Sequence, residues 1–173
     1  MSKTIASEVT ALLSAAGILE PPVSVESIAR QLGAQIRYEP ADDEVSGMVW
    51  RAESGRAIIG VNSLHSKTRK RFTVAHEIGH LRLHVDEAFH VDEGYALRRD
   101  STASLGIDRK EIEANHFAAA LLMPEAFLLR DADVMRLRFD FESDHVLVRL
   151  AKRYEVSQQA MTIRLWELFR ITA

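Results

Sequence analysis

The chain has 173 residues, 47% of them hydrophobic and 27% charged, with a formal net charge of −3. That balance describes a packed globular protein and excludes global disorder, collagen-like sequence and an apolar run long enough to span a bilayer. There is no cysteine. Disulfide frameworks, Cys-ligated zinc, iron–sulfur clusters and thiol nucleophiles are therefore excluded, and any metal must be held by His, Asp or Glu. The mild acidity argues against a protein that coats nucleic acid. Residues 1–17 lack the charged start and continuous apolar core of an export signal, so the expected compartment is the cytoplasm, without membrane attachment.

In chain order, Ile5, Val9, Leu12, Leu13 and Ala16 recur at helical spacing and predict a helix over 3–16, ended by Gly17. After Pro21-Pro22, Ser24 is the expected N-cap of a short helix closed by Gly33. Residues 34–39 alternate as a strand should, and 45–51 and 56–61 flank Ala-Glu-Ser-Gly as a hairpin. A long helix is predicted over 66–84, followed by a polar stretch at 85–107 without a strong period. A structureless stretch of that length is usually functional or mobile. Further helices are predicted from Asp108 to Met123, over 124–131, 143–154 and 157–170, the last capped by Ser157. Helices, a small antiparallel sheet, then helices read as an α+β fold. Residues 1–135 are expected to form the core, with 136–173 a C-terminal helical, helix–turn–helix-like segment packed on it.

The segment that carries chemistry is Arg71-Phe72-Thr73-Val74-Ala75-His76-Glu77-Ile78-Gly79-His80-Leu81. His76 and His80 are four apart and so share a helix face. Two imidazoles so placed can bind one Zn²⁺, and a Glu one residue after the first is positioned to take a proton from water. Apolar neighbours Phe72, Val74, Ala75, Ile78, Leu81 and Leu83 predict a buried helix. Gly79 costs about 1 kcal/mol against Ala there, an expense that makes sense if another element packs closely.

A catalytic zinc needs a third protein ligand. His84 lies about 12 Å along the axis from His76, too far to share one ion, and is expected to make a surface or supporting hydrogen bond. A metzincin arrangement would need a Gly at Leu83. His90, Asp92 and Glu93 have no anchor. The helix from Asp108 offers Glu111, with Asn115 one turn later able to accept the spare N–H of a ligand His. Against this stand Glu113 as a competitor and the reading of Asp108-x-x-Glu111 as a capping box. Glu111 is the preferred ligand, because Asn115 supports it.

Phe72-Thr73-x-Ala75-His76-Glu77-x-Gly79-His80 and Glu111-x-x-Ala114-Asn115-x-Phe117-Ala118-Ala119-x-Leu121-Leu122-Met123-Pro124 together resemble the ImmA/IrrE family of bacterial zinc metallopeptidases. The likeness extends to Gly33, Tyr38-Glu39-Pro40, Gly60-Val61-Asn62, Leu150-Ala151 and Val156-Ser157. The resemblance implies a gluzincin-like core with His76, His80 and Glu111 as ligands of one Zn²⁺ (Mn²⁺ being an alternative ion), and Glu77 as catalytic base. It also implies a protein substrate: a helix–turn–helix repressor of the XRE type, cleaved in a phage, mobile-element or stress-response switch.

The expected reaction is hydrolysis of a peptide bond. Tyr95, Arg98, Arg99 and His116 are candidates for substrate or oxyanion contact, and a strand of the 45–61 hairpin is a candidate to hold substrate as an added strand. Two other readings compete. One is a metal-binding regulator that holds a repressor without cutting it. The other is DNA binding by residues 150–165, with Gln158, Gln159, Thr162 and Arg164 facing a groove. Over 143–173 five Lys and Arg stand against three acidic residues, a weak electrostatic footprint, so packing through Leu147, Leu150, Ala151, Met161, Leu165 and Leu168 is preferred to DNA contact.

Overall fold

The computed structural model describes residues 3–52, 56–85, 89–93, 104–131 and 144–169. The elements in chain order are α1 (Lys3–Ala15), α2 (Val25–Gln31), β1 (Ala34–Glu39), β2 (Val45–Arg51), β3 (Ala57–Asn62), α3 (Lys67–Leu83), β4 (Phe89–Glu93), α4 (Ser104–Leu122), α5 (Glu125–Arg130), α6 (Asp144–Tyr154) and α7 (Gln158–Phe169). The fold is α+β, as the pattern of elements predicts. Two differences stand out. Strand β4 lies inside the stretch expected to be irregular. Helix α4 starts at Ser104, so Asp108 lies inside the helix and not at its start.

The sheet has the order β1-β3-β2-β4. The pairs β2–β3 and β2–β4 are antiparallel, whereas β1 runs parallel to β3, so the sheet is mixed where a wholly antiparallel one was expected. The cause is the short link at 40–44, which carries the chain past the place that β3 later fills. Asn62, at the end of β3, holds this link. Its Nδ2 lies 3.0–3.1 Å from the carbonyls of Ala41, Asp42 and Val45, and its Oδ1 accepts from the Ala41 and Leu64 amides. Both hairpin strands are interior to the sheet. The expectation that one of them offers a free edge to substrate is thus corrected: β4 holds the outer edge.

Helix α3 forms the centre of the molecule. Val74, Ala75 and Ile78 are fully buried and share one apolar cluster with Val49, Ile59 and Val61 of the sheet and with Phe117, Ala118 and Leu121 of α4. Two glycines set how closely these layers meet. A Cβ on Gly47 would stand 2.4 Å from Thr73 Cγ2, 3.0 Å from the Gly60 carbonyl oxygen and 3.1 Å from Glu77 Oε1. One on Gly79 would stand 3.2 Å from Ala114 Cα and 3.3 Å from its carbonyl oxygen. The close approach that Gly79 predicted is therefore the α3–α4 seam.

The C-terminal helices dock on this centre. Arg71 is buried, and its guanidinium donates to the Val23 and Glu155 carbonyls at 2.9 and 3.2 Å. Glu155 takes the turn between α6 and α7 at φ 52, and its carboxylate accepts from Lys67 Nζ at 2.7 Å. Leu150, Ala151, Met161 and Leu165 join the same apolar cluster, as the packing reading of the tail expects. Arg164 cannot face a DNA groove: it is 2% exposed, and its Nε donates to the Met123 carbonyl at 3.2 Å. The boundary expected near residue 135 falls outside the described residues.

Candidate metal centre

His76 and His80 stand one turn apart on α3, on the side that faces α4. Across the seam Glu111 of α4 meets them, three residues before the Ala114 backbone that packs on Gly79. One donor atom from each of His76, His80 and Glu111 lies within 4.8 Å of the others, and all three residues are buried. The two Nε2 atoms are 3.0 Å apart. The Glu111 carboxylate oxygens lie 3.4 Å from His76 Nε2 and 3.3 Å from His80 Nε2.

These spacings fit a metal ion. Ligands at about 2.0–2.1 Å in a tetrahedron stand about 3.3–3.4 Å from each other. The tautomer fits as well. His76 Nδ1 is 3.0 Å from Asn115 Oδ1, an acceptor, so the proton sits on Nδ1 and the Nε2 lone pair points at its neighbours. Two imidazole nitrogens and a carboxylate oxygen are a donor set suited to zinc and to manganese. The buried His-His-Glu triad can therefore bind a metal ion.

Glu77 is fully buried beside His76, with Oε1 against β2 at the position where Gly47 lacks a side chain. Glu113 turns elsewhere: its Oε1 accepts from Arg109 Nε at 3.2 Å, and its side chain is 38% exposed. His84 does not join the triad. It is buried and its Nε2 lies 3.2 Å from the Lys110 carbonyl, a link between the end of α3 and the start of the Glu111 turn. Of the other candidates, Tyr95, Arg98 and Arg99 lie outside the described residues. The backbones of His90, Asp92 and Glu93 belong to β4.

The sequence matches the Peptidase M78 family, the IrrE N-terminal-like domain, over residues 29–165. The chain belongs to this family. That agrees with the resemblance carried by the paired His-Glu and Glu-Asn motifs. No curated protein matches the chain. Among solved structures it is similar to a Mycobacterium tuberculosis transcriptional regulator, with TM-score 0.64 and 15% identity, over 99% of this chain and 49% of that one. The chain thus spans about half the length of that structure, and the likeness is one of fold. Among the described residues, no helix is long and apolar enough to cross a membrane.

The family core here opens onto a groove of about 1020 Å³. Glu111 and Asn115 line its end at the triad; Ile112, His116, Ala119 and Met123 continue along α4. The facing wall is α7, with Ala160, Ile163 and Glu167. His116 is half-exposed in this groove, with Nδ1 3.9 Å from Glu167 Oε1. Arg164 closes the floor, and burial draws its pKa below the ordinary arginine value, opposed by Glu167 and Glu125. Sequence reasoning missed the groove and Gly47. The available signals were a glycine inside a β-rich run, and Ile112 and Ile163, which fall off the buried stripes of their helices.

Proposed function

We propose that the protein is a zinc metalloendopeptidase, with His76, His80 and Glu111 as metal ligands and Glu77 as general base. The observation that carries this reading is the convergence of the three donors in one buried site, with the Glu77 carboxylate on the next residue of the same helix. Asn115 holds His76 in the tautomer that presents Nε2. When bound, Zn²⁺ or Mn²⁺ supplies Lewis acidity toward a carbonyl oxygen and toward water. Glu77 accepts the proton of the attacking water and delivers it to the departing amine. Substrate backbone is held along the outer edge of β4, with which no strand pairs among the described residues.

The proposed substrate is a helix–turn–helix repressor of the XRE type, cleaved in the cytoplasm to relieve repression in a phage, mobile-element or stress-response switch. Family membership and a structural neighbour that is a transcriptional regulator support this role. Residues 1–135 would be the catalytic core, and 136–173 the helical segment packed on it.

The test is incubation of zinc-loaded protein with a small helix–turn–helix protein encoded beside it, followed by mass spectrometry of fragments. Wild type should cut at a defined bond. Glu77→Gln should stay folded and metal-loaded and lose about 10²–10⁴ in rate. If Glu77→Gln relieves repression in cells as well as wild type does, the protein acts by holding its partner and the peptidase reading fails.

A further inference from the structure

The groove beside the triad has walls of a consistent kind. On α4, Ile112, His116, Ala119 and Met123 are spaced to form one stripe. On α7, Ala160, Ile163 and Glu167 form the other. Two large aliphatic side chains stand open to solvent here: Ile112 is 53% exposed and Ile163 is 51% exposed. Phe72 of α3 adds an aromatic surface between the walls. Polar side chains such as Thr68, Asn115 and Gln159 stand among these apolar ones, a mixture usual in a ligand cleft, and the volume is at the upper end of the roughly 300–1,000 Å³ range for such sites.

What the groove holds follows from where it begins. Glu111 and Asn115 line its end and also belong to the metal centre. The groove therefore shares Glu111 with the metal centre, so a chain lying in it lies beside the triad. Among the described residues two arginines line it: Arg164 is buried against Met123 and Glu167, and Arg69 donates to Ser46 Oγ at 3.1 Å, so the lining offers no row of cations for a phosphate backbone. We infer that this groove selects the substrate by taking a large aliphatic or aromatic side chain next to the scissile bond, with Ile163 of the C-terminal helix as the specificity-determining residue. The helix–turn–helix-like tail thus serves as one wall of the substrate cleft. The inference rests on the peptidase reading for its scissile bond, but the groove's apolar selection can be measured without turnover.

The experiment uses full-length, zinc-loaded Glu77→Gln protein with ¹³C-labelled isoleucine methyls. It is titrated with blocked pentapeptides Ala-Ala-X-Ala-Ala, where X is Leu, Phe, Ala, Glu or Lys. Leu and Phe should bind at least about tenfold more tightly than Ala, Glu or Lys, as the filling of an apolar pocket by several carbons allows. The Ile112 and Ile163 methyls should shift, and those of Ile28 and Ile59, buried in α2 and β3, should not. Ile163→Glu should abolish the preference while keeping the melting curve and metal content of the parent. Ile163→Ala serves the same purpose if the charged variant does not fold. Binding that is absent or indifferent to X, or shifts confined to other methyls, overturns the inference. Wild-type hydrolysis then separates the two readings. If no peptide is cut yet the Ile112 and Ile163 methyls respond to Leu and Phe, the groove stands and the peptidase reading falls. If peptides are cut with a preference that survives Ile163→Glu, the peptidase reading stands and the groove inference falls.

Discussion

Helix α4 presents two adjacent faces that are built on opposite principles. The face toward α3 carries Glu111, Ala114 and Ala118, and it meets Gly79 so closely that a methyl group would press on the Ala114 backbone. The face toward α7 carries Ile112, His116 and Ala119 and is left open as a groove. The first face fixes three donor atoms to within an ångström-scale geometry, which needs small residues, full burial and no freedom. The second leaves apolar surface uncovered, which gives away stability that burial would supply and is typical of a surface that binds something. The contrast separates holding a metal from choosing a substrate, along two sides of one helix.

The largest effect should come from the donor set. Glu111→Gln is expected to abolish stoichiometric zinc binding, read by metal analysis after dialysis, whereas Glu113→Gln, two residues away on the outer side, should leave it intact. The reverse result would move the ligand to the other face and undo the comparison. Next comes the seam. Gly79→Leu has no room beside Ala114 and Phe117 and should destabilise by about 1–3 kcal/mol or more in a denaturant melt. Because it forces the two helices apart, it should weaken zinc binding as well. A large side chain at Ile163, such as Phe, should be nearly neutral in the same melt. Equal losses at the two positions would mean that the groove is packed as tightly as the seam. A smaller effect is expected at Asn115. Removing its bond to His76 Nδ1 by Asn115→Ala should lower zinc affinity by about 10–100-fold without unfolding the chain.

The seam was more legible in the sequence than the groove, and the reason is physical. His76 and His80 declare their shared face by spacing alone, and Glu111 with Asn115 does so on a second helix. A costly glycine between the histidines then announces the close contact. Each of these signals is local to one helix. The groove depends on where α7 comes to rest against α4, and that is fixed by long-range ties such as Arg164 to Met123 and Arg71 to Glu155. No period in the sequence reports them. The sheet shows the same division. The β2–β3 pair was legible as a hairpin, but the parallel β1–β3 pair depends on Asn62 side-chain bonds to the 40–44 link. Strand β4 has Phe89 to Glu93 in a polar surrounding, and only pairing with β2 makes it a strand.

The smallest expected effect concerns the tie that sets α7 in place, and it sharpens the comparison because it should touch the groove and spare the seam. Glu155 has its pKa lowered, first by the hydrogen bond from Lys67, with Arg71 and the Lys67 charge adding to it and burial opposing. A carboxyl lowered on folding contributes stability that is present above its unfolded value of 4.5 and is lost as pH falls through the folded value. The pair is partly exposed, so its worth should be below about 1 kcal/mol. A double-mutant cycle of Lys67→Met and Glu155→Gln isolates it, because other acidic groups cancel between the arms. The cycle should be run on zinc-free protein, since acid also protonates metal ligands and displaces the ion, which would add its own slope. The coupling should be measurable at about pH 7 and should be lost as pH falls below 4.5 through the folded value. The bond from Arg71 to the Glu155 carbonyl does not titrate and should keep the turn docked throughout. A coupling that is absent at pH 7 as well as in acid would mean that the backbone bond alone holds α7, and that the groove wall is set independently of the Glu155 carboxylate.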